Sequence, residues 1–309
     1  MNREEQQAIL TISLMAAFAD GRNDELERAE LKRITESLSG ADLNSAALYQ
    51  DVLLKRRALD DAALAITAPE LRQYAYEMAV CVCNADGAHS AAEKVFLDRL
   101  RAALGLDAAR SETFAAGAAQ VASAPLEIGS TLEPAPATPP TQAEMDPMIL
   151  NYAVLNGALE LLPQNLASMA IIPMQMKMVY RIGKAHGYDL DRGHIKDFLA
   201  TLGVGLTSQY LEQFGRKLIG GLLGKIAGGI GRGIGGAATG SAFSFATTYA
   251  LGRVAKRYYA GGRTLSGETL KDTFSAMLGE AKGLQSRYLP QIEEKARTLD
   301  VNQVLQAAR

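Results

Sequence analysis

The chain's 309 residues set a prior of two domains. The absence of tryptophan, an aromatic content of only 6% and little clustering of β-branched residues exclude a sheet-built protein and read as all-α. The formal charge of −2 hides an asymmetry: residues 1–122 carry 13 basic against 19 acidic side chains, 123–147 carry none against 4, and 148–309 carry 19 against 11. A basic second half suits an anionic partner such as a membrane surface, whereas basic residues scattered without interleaved aromatics argue against nucleic acid.

The chain opens without a secretory pattern, since Glu4 and Glu5 are acidic and the apolar residues that follow are periodic, which places the protein in the cytoplasm. An apolar helix over 9–18 runs into Ala19-Asp20-Gly21, with Glu27 seven residues after Asp20. A second, over 74–83, runs into Ala85-Asp86-Gly87, with Glu93 seven after Asp86, and the two copies are 66 residues apart. Each leads to a charged helix, 25–38 and 91–104. Gly21 can adopt the left-handed backbone that ends a helix, and Asp20 can accept from turn amides and favour the next N-terminus. Helical periodicity puts Leu26, Ala29, Ile34 and Leu38 on one side of the first charged helix, and Val95, Phe96, Leu100 and Leu104 on one side of the second. Cys81 and Cys83 are two apart on a helix, which fits neither a disulfide nor a redox pair, and they read as buried small hydrophobes.

The doubled Ala-Asp-Gly-x5-Glu pattern resembles the tellurite-resistance TerB-like family over roughly residues 1–110. The resemblance implies a compact helical domain of pseudo-two-fold character, a link to tellurite or other stress, and a shared acidic role for Asp20, Glu27, Asp86 and Glu93. Binding of a divalent cation, Ca²⁺ or Mg²⁺, is the role often proposed for such residues. The second copy carries Ala88, His89 and Ser90 where acidic residues would strengthen a cation site. Helix capping is the competing account of the same four residues. EF-hand spacing fits neither Asp20 nor Asp189, because twelve-residue loops from them would end at Leu31 and Ala200.

Residues 123–147 hold six of the ten prolines and read as a disordered tether between a first domain, 1–122, and a second, 148–309. The second domain opens with helices over 149–162 and 166–187, the latter interrupted by Pro173. Met169, Met174, Met176 and Met178 are expected as core or groove filling. His186 and His194 are too far apart for a helical metal pair and take loop and capping roles.

The run from 215 to 252 organises this domain. Eleven of the 29 glycines fall between 215 and 240, and Gly220, Gly224 and Gly228 are spaced at four, as are Gly229 and Gly233, and Gly236 and Gly240. Small residues at that spacing let apolar helices approach closely, within one chain or between chains of a homo-oligomer. Twenty residues from 233 to 252 carry no charge, long enough to span a bilayer but rich in Gly, Ala, Ser and Thr. A helical hairpin in water and a membrane-contacting segment both fit. Gly231, Gly233 and Gly236 formally match a dinucleotide fingerprint, but no β-type run precedes them and no acidic residue lies between Glu212 and Glu268. Beyond it, an amphipathic helix is expected over 266–288, with Pro290 starting a last short one.

From Ile171-Ile172-Pro173, through the Tyr180 to Tyr188 stretch and the glycine-rich run, to Ala250-Leu251-Gly252-Arg253 and Arg257-Tyr258-Tyr259, the domain resembles the YcjF type found beside Era-like GTPases. That resemblance implies a GTPase-linked or inner-membrane-linked accessory role, and this chain has no GTPase motif of its own. The expectation is a non-enzymatic, stress-linked adaptor or scaffold that meets the inner membrane or a separate GTPase-like protein. A soluble self-associating scaffold is the second reading, and a divalent-metal sensor built on the acidic repeat is the third.

Overall fold

The computed structural model describes residues 1–21, 32, 44–85, 90–123, 139–162, 165–204, 209–212 and 234–300. Helices, with no strand among the described residues, make the fold all-α. The chain divides into two compact units, Met1–Ser123 with Gly205–Ala237 and Ala124–Val204 with Ala238–Arg309.

In the first unit α1 (Arg3–Ala17) starts on a capping box in which the Asn2 side-chain Oδ1 accepts from the Glu5 N–H at 2.8 Å and the Glu5 carboxylate accepts from the Asn2 N–H at 3.0 Å. It ends at Ala17 with Phe18 as its cap, and Gly21 takes the expected left-handed backbone, φ 69°, in the turn that follows. Ile9, Leu10, Ile12 and Leu14 are all buried, so α1 has no solvent face over this stretch and forms the centre of the unit. Around it pack α2 (Ser45–Leu53), α3 (Leu59–Leu64), α4 (Pro69–Cys83) and α5 (Ala91–Ala103), with α6 (Ala108–Ala122) against α4. Pro69 occupies the first turn of α4, where its missing N–H costs nothing. Cys81 and Cys83 are free and buried, as small hydrophobes.

The face of α5 differs from the expected one. Glu93, Leu97 and Leu100, with Leu104 just past the helix end, point inward, while Val95 is 68% exposed. The capping box between Ser90 and Glu93 turns Glu93 toward the core and sets the rotation of the helix.

In the second unit α7 (Gln142–Leu161) begins inside the stretch expected to be a tether. Thr141 and Glu144 form a capping box that starts the helix, and it runs through Pro147. The break expected at Pro173 falls at Ala170, between α8 (Asn165–Met169) and α9 (Ile171–Ala185). Pro173 sits in the first turn of α9, where a proline removes no helical hydrogen bond. Then come α10 (Arg192–Thr201), α11 (Ile234–Ala260) and α12 (Gly267–Thr298). No new helix starts at Pro290. It lies inside the 32-residue α12, whose buried Leu270, Ala281 and Ile292 recur every eleven residues as one straight stripe. Ile292 packs with Ala153, Ala158 and Phe245 beyond the proline, so tertiary contact carries the helix past the lost hydrogen bond. His186 and His194 take the capping places expected of them, at the C-terminus of α9 and the N-terminus of α10.

Candidate functional site

Of the four acidic residues singled out by the repeat, Asp20 lies in the turn after α1 and Glu93 three residues into α5; Glu27 and Asp86 lie outside the described residues. Glu93 is buried, and its carboxylate accepts from the Ser90 N–H at 2.7 Å. Among the described residues no three His, Cys, Asp or Glu side chains are grouped to hold a metal ion. A different carboxylate is built deep into this unit. Glu5 accepts from the Thr67 hydroxyl at 2.7 Å and the Thr67 N–H at 3.3 Å, tying α1 to the loop before α4. Burial pushes its pKa up, but these hydrogen bonds and that from Asn2 outweigh burial and hold it below the usual value. The sequence offered no sign of this partner 62 residues away.

The same unit carries a cavity of about 430 Å³ between α1, α3 and the turn after α2. Its floor is the buried Ala8, Thr11 and Ala62 with the half-buried Ala65, and exposed Glu4, Arg56, Arg57 and Asp61 stand at its rim. Arg57 pairs with Asp51 at 3.3 Å, whereas Arg56 forms no ion pair with a described residue.

Small and polar residues line the contact of α7 with α11, beside large buried side chains such as Ile149, Phe245 and Leu251. Gly220, Gly224, Gly228, Gly229 and Gly233 lie outside the described residues, while Gly236 and Gly240 fall in the first two turns of α11. Farther along, Gly252 is a true close approach: a Cβ there would lie 2.6 Å from Ile149 Cγ2 and 3.1 Å from Met178 Sδ. Gly157 faces Ile292 and Phe245 at 3.2 and 3.3 Å in the same sense, and a Cβ on Gly183 would collide with Leu190.

Between these contacts runs a buried ladder. The Asn156 amide of α7 donates to the Thr248 hydroxyl oxygen of α11 at 2.9 Å, and the Gln175 amide of α9 donates to the same oxygen at 3.0 Å. One turn along both helices, the Ser244 hydroxyl donates to Glu160 at 3.0 Å. Asn156 and Glu160 are one turn apart on α7, and Thr248 and Ser244 one turn apart, in the opposite chain sense, on α11. The rungs therefore belong to one antiparallel register. At the outer end of the seam Asp146 meets Lys256 at 2.7 Å and Arg253 at 2.8 Å. Burial raises the Asp146 pKa, and the two cations more than offset it, holding it below the carboxylate norm. Lys177 is 2% exposed on α9, and burial, with Arg192 adding repulsion, pulls its pKa down to about 8.

No helix among the described residues is long and apolar enough to cross a membrane. Ser241, Ser244, Thr247 and Thr248 put polar atoms along the inner face of α11, which lowers its apolar character below that of a lipid-facing span.

Residues 1–117 match the family model DUF533, described as a protein of unknown function and of the TerB-like kind, which supports an N-terminal TerB-like domain. No curated protein and no solved structure matches the chain.

Proposed function

We propose that the protein is a non-enzymatic, stress-linked adaptor: a TerB-like docking domain joined to a YcjF-type helical unit that associates with the inner membrane or with a separate GTPase-like protein. The observation that supports this reading is the α7–α11 seam, in which Thr248 is gripped by Asn156 and Gln175 and Gly252 lies against Ile149. Small residues that let backbones approach, joined by side-chain hydrogen bonds across helices, are the means by which helices pair where water offers no driving force. The glycines at spacing four in 215–240 repeat the same chemistry as sequence pattern. The net positive charge of residues 148–309 favours an anionic lipid surface nearby.

The test is fractionation of the expressed full-length chain, with flotation on vesicles of phosphatidylglycerol and phosphatidylethanolamine. The adaptor reading expects a membrane-bound fraction that rises with anionic lipid and falls with salt. A chain that stays soluble without detergent and ignores the vesicles ends the membrane half of the proposal. Light scattering on that soluble chain then decides between a GTPase-dependent monomer and a self-associating scaffold. The divalent-metal reading of Asp20, Glu27, Asp86 and Glu93 has its own readout: Ca²⁺ or Mg²⁺ should raise the melting temperature, and Asp20→Asn with Asp86→Asn should abolish the rise.

A further inference from the structure

We propose that the common end of α9, α10 and α11 is the face that meets anionic lipid headgroups, with Arg257 and Arg263 as its principal contacts. The positive charge of the second unit is unevenly placed. Residues 171–201, which hold α9 and α10, and 234–264, which hold α11 and its closing turn, carry 9 basic against 3 acidic side chains. The helices α7 and α12 together carry 5 against 8. An anionic surface is therefore drawn to the α9–α11 side of the unit.

Tyr259 gathers the three helix ends into one place. Its ring centroid lies 5.3 Å from that of Tyr188 in the turn after α9, 5.9 Å from that of Phe198 on α10 and 5.2 Å from that of its neighbour Tyr258. The carboxylates nearby are already engaged: Asp189 pairs with Lys184 at 3.1 Å, Asp191 caps α10, and Asp146 is shared by Lys256 and Arg253. Arg257 is exposed and forms no ion pair with a described residue. Arg263 is exposed too, and it is held in position. Its φ of 62° lies in the left-handed region where glycine is usual, and its N–H bonds back to the Tyr258 carbonyl at 2.9 Å. Its guanidinium lies 5.8 Å from the centroid of the Tyr188 ring, and its side chain hydrogen-bonds Tyr258. The turn thus fixes a cation between two tyrosines, with further N–H groups left for a phosphate oxygen.

The aromatic rings favour lipid over nucleic acid. Tyr258 stacks on Phe198 at 5.2 Å and Arg263 covers Tyr188, so the ring faces on which a nucleobase would stack are in use. Half-buried tyrosines with an apolar body and a wet hydroxyl, set beside arginines, suit instead the boundary between headgroups and water. The inference rests on the membrane half of the adaptor reading and gives it a location.

The experiment is flotation of the full chain on phosphatidylglycerol vesicles, with phosphatidylcholine vesicles and a fluorescein-labelled single-stranded oligonucleotide as comparisons. Wild type should float with phosphatidylglycerol and not with phosphatidylcholine. Arg257→Gln with Arg263→Gly should weaken that binding at least about tenfold, since each cation lost near an anionic surface is worth about fivefold. Glycine suits the left-handed turn, so the pair removes charge without adding strain. Lys282→Gln with Arg287→Gln takes the same charge from α12 and should leave binding close to wild type. If the first pair lowers the melting temperature, Arg257→Gln alone decides, with a loss of about fivefold expected. Failure of wild type to float sinks the membrane reading and this inference together. Flotation that is indifferent to the first pair, or that falls equally with the α12 pair, overturns the inference and leaves the reading standing. Oligonucleotide binding that the first pair abolishes while flotation is unchanged overturns it as well.

Discussion

The two units solve the same problem, holding one helix inside others, with a different balance of chemistry. In the first, α1 is enclosed through Ile9, Leu10, Ile12 and Leu14, large side chains whose removal from water supplies the drive. In the second, α11 buries Phe245, Leu251 and Val254 as well, but it adds Ser244, Thr248, Ala250 and Gly252, which bury little apolar area and gain by proximity and hydrogen bonding. A core of large residues is vulnerable to truncation, and a seam of small ones to enlargement. The units should therefore fail under opposite mutations.

The largest effect expected is in the first unit. Ile12→Ala removes a fully buried side chain and should cost about 2–5 kcal/mol, read by denaturant unfolding with hydrogen exchange to localise the loss to residues 1–123. The converse change in the second unit is Gly252→Val, which drives methyl groups into Ile149 and Met178 and should cost roughly 1–3 kcal/mol or more, localised to α7, α9 and α11. If Gly252→Val were harmless and Ala250→Gly severe, the contrast between the units would be false.

A smaller effect is a rise of stability with pH confined to the second unit, while the alkaline loss above it is shared, since burial also raises the Tyr76 pKa in the first unit. Lys177 has a folded pKa near 8 against 10.5 unfolded, so between those values the unfolded chain binds more protons and stability rises with pH. Tyr259 works the other way, because burial pushes its pKa up to about 12 and stability falls as pH climbs above 10, where the unfolded phenol ionises. The second unit should gain stability from about pH 8 and lose it again beyond about pH 10. Lys177→Met should flatten the rise without touching the first unit. On the acid side both units should weaken together. Glu5 and Asp146 both have folded pKa values below their unfolded ones, so the stability they confer is present above about pH 4 and lost as pH falls through the folded values.

The smallest effects should not distinguish the units at all. Ser90 caps α5 and Ser266 caps α12, each accepting from the N–H three residues on at 3.2 Å. Replacing either by Ala should cost about 1 kcal/mol, since a cap is a local device indifferent to what the helix packs against. A marked difference between Ser90→Ala and Ser266→Ala would show that the units differ in more than their cores.

The contrast also explains what was legible in the sequence. Helix class, the left-handed Gly21 and the burial of Cys81 and Cys83 follow from local pattern and composition, and the structure agrees. Apolarity alone puts Val95 on the inner face of α5, whereas the Ser90 and Glu93 capping signal, also present in the sequence, fixes a rotation that turns Val95 outward. The start of α7 was hidden in the same way, with Thr141 and Glu144 overshadowed by the surrounding prolines. Pro290 does not break α12, because a proline's local cost says nothing about Ile292 being anchored beside Phe245. The ladder was not legible at all. Asn156 and Thr248 are 92 residues apart, and only the antiparallel register of the folded helices makes them partners. The glycines at 220–233 lie outside the described residues, so their spacing stands as sequence pattern.

The central claim, that the second unit is held by a polar, close-packed seam, is tested most directly at Thr248 by comparing Thr248→Ser with Thr248→Val in the full chain. Hydrogen exchange of α7, α9 and α11 peptides, read by mass spectrometry, reports the stability of the seam itself. Serine keeps the oxygen that accepts from Asn156 and Gln175 and should leave exchange close to wild type. Valine keeps the shape, leaves the Gln175 amide without this acceptor and Asn156 with only its long 3.4 Å bond to the Ile171 carbonyl, so exchange in those three helices should speed up by a factor that corresponds to about 1–3 kcal/mol. Exchange in Thr248→Val as slow as in wild type would contradict the account, because the seam would then be held by shape alone.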